Sequence, residues 1–143
     1  MSKFDQFVDW HDERVTLGSV IGLWSAQVVK MSADMRNFPA EMVGNFGYDD
    51  FIDALFTRTF LEKAALETKI TESDHEHYVI KASDELFSSL TRDDPGFAVI
   101  DSEPLLEKYR ADPQYWWTRR IPAGGALGFE VCRMARAVRG LKY

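Results

Sequence analysis

The stretch LGSVIGLWSAQVVKMSADM, residues 17–35, decides the fold class. Leu17, Ile21, Trp24, Val28, Met31 and Met35 recur at alternating steps of four and three, the spacing that keeps an apolar seam on one side of an α-helix. Val20, Leu23 and Val29 widen the stripe, which predicts a helix buried on more than one side. Gly18 and Gly22 each weaken such a helix by up to ~1 kcal/mol relative to Ala, and make sense where a neighbour packs closely.

The same period extends in both directions. Phe4, Phe7, Val8, His11 and Val15 are spaced as one face of a first helix, with His11 on its apolar side. Residues 37–44 read as a short helix with Asn37 near the N-cap, Pro39 in the first turn and Gly44 as the C-cap. Asp49 and Asp50 open a long helix to about Ile70, where acids complement the helix dipole. Phe51, Ile52, Leu55, Phe56, Phe60 and Leu61 spread widely around that helix, which makes it a central element. Ser73 and Glu76 match a capping box, followed by a face of Val79, Ala82, Leu86 and Leu90. Asp93-Asp94-Pro95-Gly96 is a strong turn. Phe97 to Ile100 is the best strand candidate, with His77 to Lys81 as its conceivable partner. Ser102 before Pro104, and Asp112 before Pro113, start short helices. After the break at 121–125, a last helix over 126–140 carries Leu127, Val131, Met134, Val138 and Leu141. The expectation is a mainly α, single compact domain over 1–143, with five to seven helices and at most a minor β element. The seams 17–35 and 127–141 are natural mates, either for each other in a bundle or for a second copy in a homodimer.

Charge is unevenly divided. Residues 1–107 hold 9 Lys/Arg against 21 Asp/Glu, an acidic body, whereas residues 108–143 hold 8 basic against 2 acidic residues. The net charge of −6 conceals this split. No apolar run approaches the ~20 residues that span a bilayer, so no membrane association is expected. The N-terminus is acidic and lacks an uninterrupted apolar core, unlike a secretory signal. Cys132 is the only cysteine, so an intrachain disulfide or a multi-cysteine metal site is excluded. A reducing cytoplasm is the expected compartment.

Chemistry-bearing residues are sparse. Trp116, Trp117, Arg119 and Arg120, with the ridge Arg133, Arg136 and Arg139, form a candidate anion-binding set, since arginine forks and aromatic faces hold phosphates and stack bases. The competing reading pairs those arginines with the acidic body and buries the tryptophans. His75 and His77 point apart on a helix, so they make no metal pair there. His11 reads as a packed histidine and Cys132 as a small buried thiol, although nearby arginines would lower its pKa. No catalytic constellation, metal site or cofactor motif is identifiable, and the reading leans away from an enzyme.

Asp49, Asp50 and Asp53 form a candidate acidic face for a partner. The function expected is therefore a small acidic cytoplasmic binding module that masks a basic, nucleic-acid-handling protein, as an inhibitor or an immunity or anti-defence protein does. Nucleic acid itself is disfavoured, because the acidic majority repels it. The alternative is a small enzyme or ligand-binding domain whose aromatic and arginine-lined pocket takes an anionic ligand or nucleotide. The chain's 4 Trp, 5 Tyr and 10 Phe exceed what a minimal core needs.

Overall fold

A computed structural model describes residues 2–37 and 45–138. It is mainly α. Six α-helices and two short 3-10 segments are joined by two small two-stranded sheets among the described residues. The chain runs from a 3-10 turn Lys3–Asp5 through β1 (Phe7–Trp10) and β2 (Glu13–Thr16) into α1 (Leu17–Asn37). It continues with α2 (Tyr48–Glu67), α3 (His75–Leu90), β3 (Thr91–Asp93), α4 (Ala98–Asp101) and α5 (Pro104–Glu107). A 3-10 helix Pro113–Arg119, β4 (Arg120–Pro122) and α6 (Gly125–Val138) complete it.

The first predicted helix is a hairpin. β1 and β2 pair antiparallel with Trp10 opposite Glu13, leaving His11 and Asp12 as a two-residue turn. Both sit in the left-handed region, at φ 53° and 65°, the combination that matches hairpin twist. His11 is therefore exposed at a turn, not packed on a helix face. The ladder runs on into α1: the Leu17 amide donates to the Gln6 carbonyl at 2.7 Å. Thr16 Oγ1 then accepts from the Ser19 amide at 3.1 Å, capping the helix start.

The seam of α1 is core. Leu17, Val20, Ile21, Trp24, Val28 and Met31 are buried, whereas Leu23 and Val29 face outward. α1 packs on α2 and α3; α6 packs chiefly on α4, β4 and α2. α6 also touches α1, though each of these helices finds most of its contacts elsewhere, and the α1 seam is covered within the chain. Gly18 admits a neighbour, since a Cβ there would stand 3.1 Å from the Phe4 carbonyl oxygen; Gly22 has nothing near it. Asp34, near the end of α1, accepts from the Asn45 and Phe46 amides at 2.9 and 3.2 Å and ties the entry of α2 to α1. The short helix expected over 37–44 falls mostly outside the described residues; Asn37 itself ends α1.

α2 is central, with Phe51, Ile52, Leu55 and Leu61 buried and Phe56 and Phe60 half-buried. The capping box before α3 does not form. Asp74 is the N-cap, Ser73 Oγ is bonded to Thr71 Oγ1, and Glu76 turns back to the N-terminal segment. The buried face of α3 is Glu76, Ile80, Ser83 and Phe87, one ridge away from the expected one. Phe97 to Ile100 is not a strand: Ala98–Asp101 is a helical turn led by Phe97 at φ 48°. The strands of the second sheet are instead β3 and β4, with Arg92 opposite Ile121. Asp112 caps the 3-10 helix as expected, accepting from the Gln114 amide at 3.0 Å.

The aromatic excess forms a chain of ring contacts through the interior. Trp24 meets Phe87 at 5.1 Å, Phe87 meets Trp116 at 6.0 Å, and Trp116 meets Trp117 at 5.8 Å. Such pairs add ~0.5–1.5 kcal/mol each beyond burial.

Candidate functional site: an acidic rim on an apolar groove

The first two turns of α2 place Asp49, Asp50 and Asp53 close together, because positions three and four apart share a helix face. Asp49 and Asp53 are exposed. Asp50 also closes the helix start, its Oδ2 accepting from the Gly47 amide at 2.9 Å. A fourth carboxylate, Glu103, joins them from the residue leading into α5. Tyr48 holds that junction: its hydroxyl lies 3.0 Å from Ser102 Oγ and donates to Glu103 Oε1 at 3.5 Å. Burial pushes the Glu103 carboxyl above its ordinary pKa; the Tyr48 bond opposes this, and the charges of Asp49 and Asp53 add to it. Burial, then Asp50 and Asp49, raise Asp53 as well. Among the described residues none of the four has an ion-pair partner within 4.0 Å. Sequence reading found the three aspartates and missed Glu103, whose only signal is its place beside a proline-started turn.

Asp53 is also the polar edge of an apolar groove of about 410 Å³, walled by Trp10, Leu23, Phe56 and Leu105. Leu105 is 71% exposed. Trp10 is pinned there by stacking on Phe60, with centroids 4.9 Å apart and planes 10° from parallel. The hairpin thus supplies one wall, α2 the floor and α5 the other wall. A second depression of about 320 Å³ shares Trp10, His11, Phe56 and Leu105 and ends at Lys63, Lys108 and Tyr109.

The C-terminal set is divided. Trp117 is fully buried, with Nε1 donating to Thr59 Oγ1 at 2.9 Å, and Trp116 is half-buried in the aromatic chain. Arg119 donates to the carbonyls of Arg110 and Asp112 at 2.6 and 3.1 Å. Arg120 serves Thr91 Oγ1, the carbonyls of Ser88 and Thr91, and Asp93 at 2.9 Å. These two arginines are occupied by the fold. Arg133 and Arg136 are exposed on α6, with no ion pair among the described residues. Arg139 lies outside the described residues.

A buried ionic hub escaped sequence reading. Arg58 of α2 donates to both oxygens of Asp84 on α3, at 2.8 and 2.9 Å, and to Glu62 at 3.3 Å. Trp24 Nε1 donates to the same Asp84 at 3.0 Å, and Trp117 lies under the guanidinium at 4.2 Å. The hub closes one side of a cleft of about 490 Å³ that also presents His77 and Lys81.

His75 is exposed and edge-on to Phe4, while His77 is half-buried beside Tyr78. Among the described residues no group of three His, Cys, Asp or Glu side chains is placed to hold a metal ion. Burial raises the Cys132 thiol pKa, outweighing the pull of Arg92 and Arg136, so the arginine neighbourhood does not activate it. No helix among the described residues is long and apolar enough to cross a membrane. No protein-family model, curated protein or solved structure matches the chain.

Proposed function

We propose that the protein is a non-catalytic binding module whose acidic rim and apolar groove receive a basic protein and mask it. Inhibitor, immunity and anti-defence proteins working in the cytoplasm act in this way. One observation carries the reading: Asp49, Asp50, Asp53 and Glu103 gather without a cation of their own beside exposed Leu105 and the groove it walls. Crowded carboxylates repel one another, and Asp53 and Glu103 are harder to ionise, first through desolvation and then through that repulsion. A partner lysine or arginine relieves the repulsion while an apolar side chain fills the groove. Long-range attraction speeds encounter, and desolvated apolar contact slows release. The same field repels phosphate backbones, so the basic partner is a protein. Arg119 and Arg120 are engaged elsewhere in the fold, at backbone carbonyls and at Asp93, and do not pair with this face.

The test is affinity capture from the native host with the wild-type chain and with Asp49→Lys/Asp53→Lys. Asp50 is left in place because it closes α2. The expected result is a basic protein enriched by the wild type and reduced about tenfold or more by the double reversal and by 0.5 M salt. Enrichment that survives both treatments, or that selects acidic proteins, removes the acidic rim from the function.

A further inference from the structure

The far end of the groove has the opposite character. Lys63 on α2 and Lys108 just after α5 converge on one ring: their Nζ atoms lie 5.0 and 4.8 Å from the Tyr109 centroid. Neither lysine has a carboxylate partner among the described residues, although the chain as a whole is acidic. No Asp or Glu lines this depression; its walls are Trp10, Phe56, Phe60 and the exposed Leu105. We propose that this end is a binding site for a small aromatic carboxylate, its ring against Trp10, Phe60 and Leu105 and its carboxylate between the Lys63 and Lys108 ammonium groups.

Three physical arguments select that ligand. First, two ammonium groups held around one phenol repel each other, and an anion between them turns that repulsion into two charge-assisted hydrogen bonds. The Tyr109 phenol already responds to this field: burial raises its pKa, but hydrogen bonds from Lys63 and Lys108 and their charges outweigh burial and bring it below the ordinary value. Second, the cationic donors are the point charges of Lys63 and Lys108, with the Tyr109 and Thr59 hydroxyls and the His11 ring also lining the depression, and no arginine fork lines the site. That set suits a monoanionic carboxylate better than a phosphate, which favours forks and converging backbone amides. Third, the volume of about 320 Å³ is at the small end of ligand pockets, and flat apolar walls favour a one- or two-ring body. The wall is preset: the left-handed pair His11 and Asp12 ends the hairpin, and the stack on Phe60 fixes Trp10. This end shares Trp10, Phe56 and Leu105 with the groove beside the acidic rim, but its charged groups are Lys63 and Lys108, so a preference for the carboxylate is read independently of the partner proposed above.

The test is a nuclear magnetic resonance titration of the full chain with 2-naphthoate and with its neutral isostere 2-naphthylmethanol. The expected result is saturable shifts at the Trp10 indole and Leu105 methyls, with naphthoate bound about tenfold more tightly than the alcohol. Lys63→Met/Lys108→Met, two exposed positions, is expected to abolish that preference. Equal affinities in the wild type, a preference that survives the double substitution, or shifts mapping away from Trp10 and Leu105 would overturn the proposal.

Discussion

Arg58 grips both oxygens of Asp84, with Nε 2.8 Å from Oδ1 and Nη2 2.9 Å from Oδ2. The pair joins α2 to α3, and its side chains are only 6% and 18% exposed. A buried ion pair gains little over an apolar pair of the same shape, but removing one partner strands the other's charge. Asp84→Asn leaves Arg58 with Glu62 at 3.3 Å as its remaining counter-ion and is expected to cost about 3 kcal/mol in urea unfolding. Trp24→Phe keeps the ring but removes its bond to Asp84 and is expected to cost about 1 kcal/mol. A loss below about 1 kcal/mol for Asp84→Asn would show that the hub does not lock the two helices.

The hairpin turn stores removable strain. His11 and Asp12 both hold positive φ without being glycine, and a left-handed residue with a side chain costs roughly 1–2 kcal/mol. Asp12→Gly is expected to raise stability by about 0.5–1 kcal/mol, the glycine's larger unfolded-state entropy taking back part of the relief. Equilibrium unfolding checks this, and a loss of stability would mean that Asp12 holds the turn by its side chain.

That turn also explains what was legible in the chain. The α1 stripe was readable because one continuous core contact imposes its period on Leu17 through Met31. Residues 4–15 carry helical spacing too, yet they pair as a hairpin in which Trp10 stacks on Phe60, and His-Asp lacks the glycine that announces a tight turn. Val99 and Ile100 favour a strand in isolation, but Asp94 accepts from the Val99 amide at 3.3 Å and bends the segment into a buried turn. At the site, the aspartates of α2 were visible because they are neighbours in sequence. Glu103 arrives from 50 or more residues away, and the partners of Arg119 are backbone carbonyls, which no side-chain pattern encodes.

The acidic rim should act against the fold at neutral pH. Asp53 and Glu103 have raised folded-state pKa values, burial first and neighbouring carboxylates after it. The folded chain therefore binds their protons more tightly than the unfolded chain, and stability falls as pH rises through the folded values. The relief is complete below the unfolded range, about pH 4. Asp53→Asn and Glu103→Gln are each expected to stabilise by a few tenths of a kcal/mol at pH 7, since solvent screens such a cluster, and by nothing at pH 3. A gain of equal size at both pH values would trace the effect to packing and not to charge.

Glu76 should behave with the opposite sign. Its Oε1 accepts from Ser2 Oγ at 2.8 Å and from the Phe4 amide at 3.1 Å, fastening the N-terminal 3-10 turn to α3. Burial raises its pKa, but bonds from its own amide, Ser2, Phe4 and Lys3 outweigh burial and hold it below the ordinary value. Its stabilisation is therefore present above the unfolded value, about pH 4.3, and is lost as pH falls through the lower folded value. Glu76→Gln is expected to cost about 1 kcal/mol at pH 7 and to speed hydrogen exchange at the Phe4 amide. The gap to wild type should close on acidification, while the gap opened by Asp53→Asn closes from the other side. If the Glu76→Gln deficit instead widens toward pH 3, the carboxylate is not the group that holds the N-terminal segment.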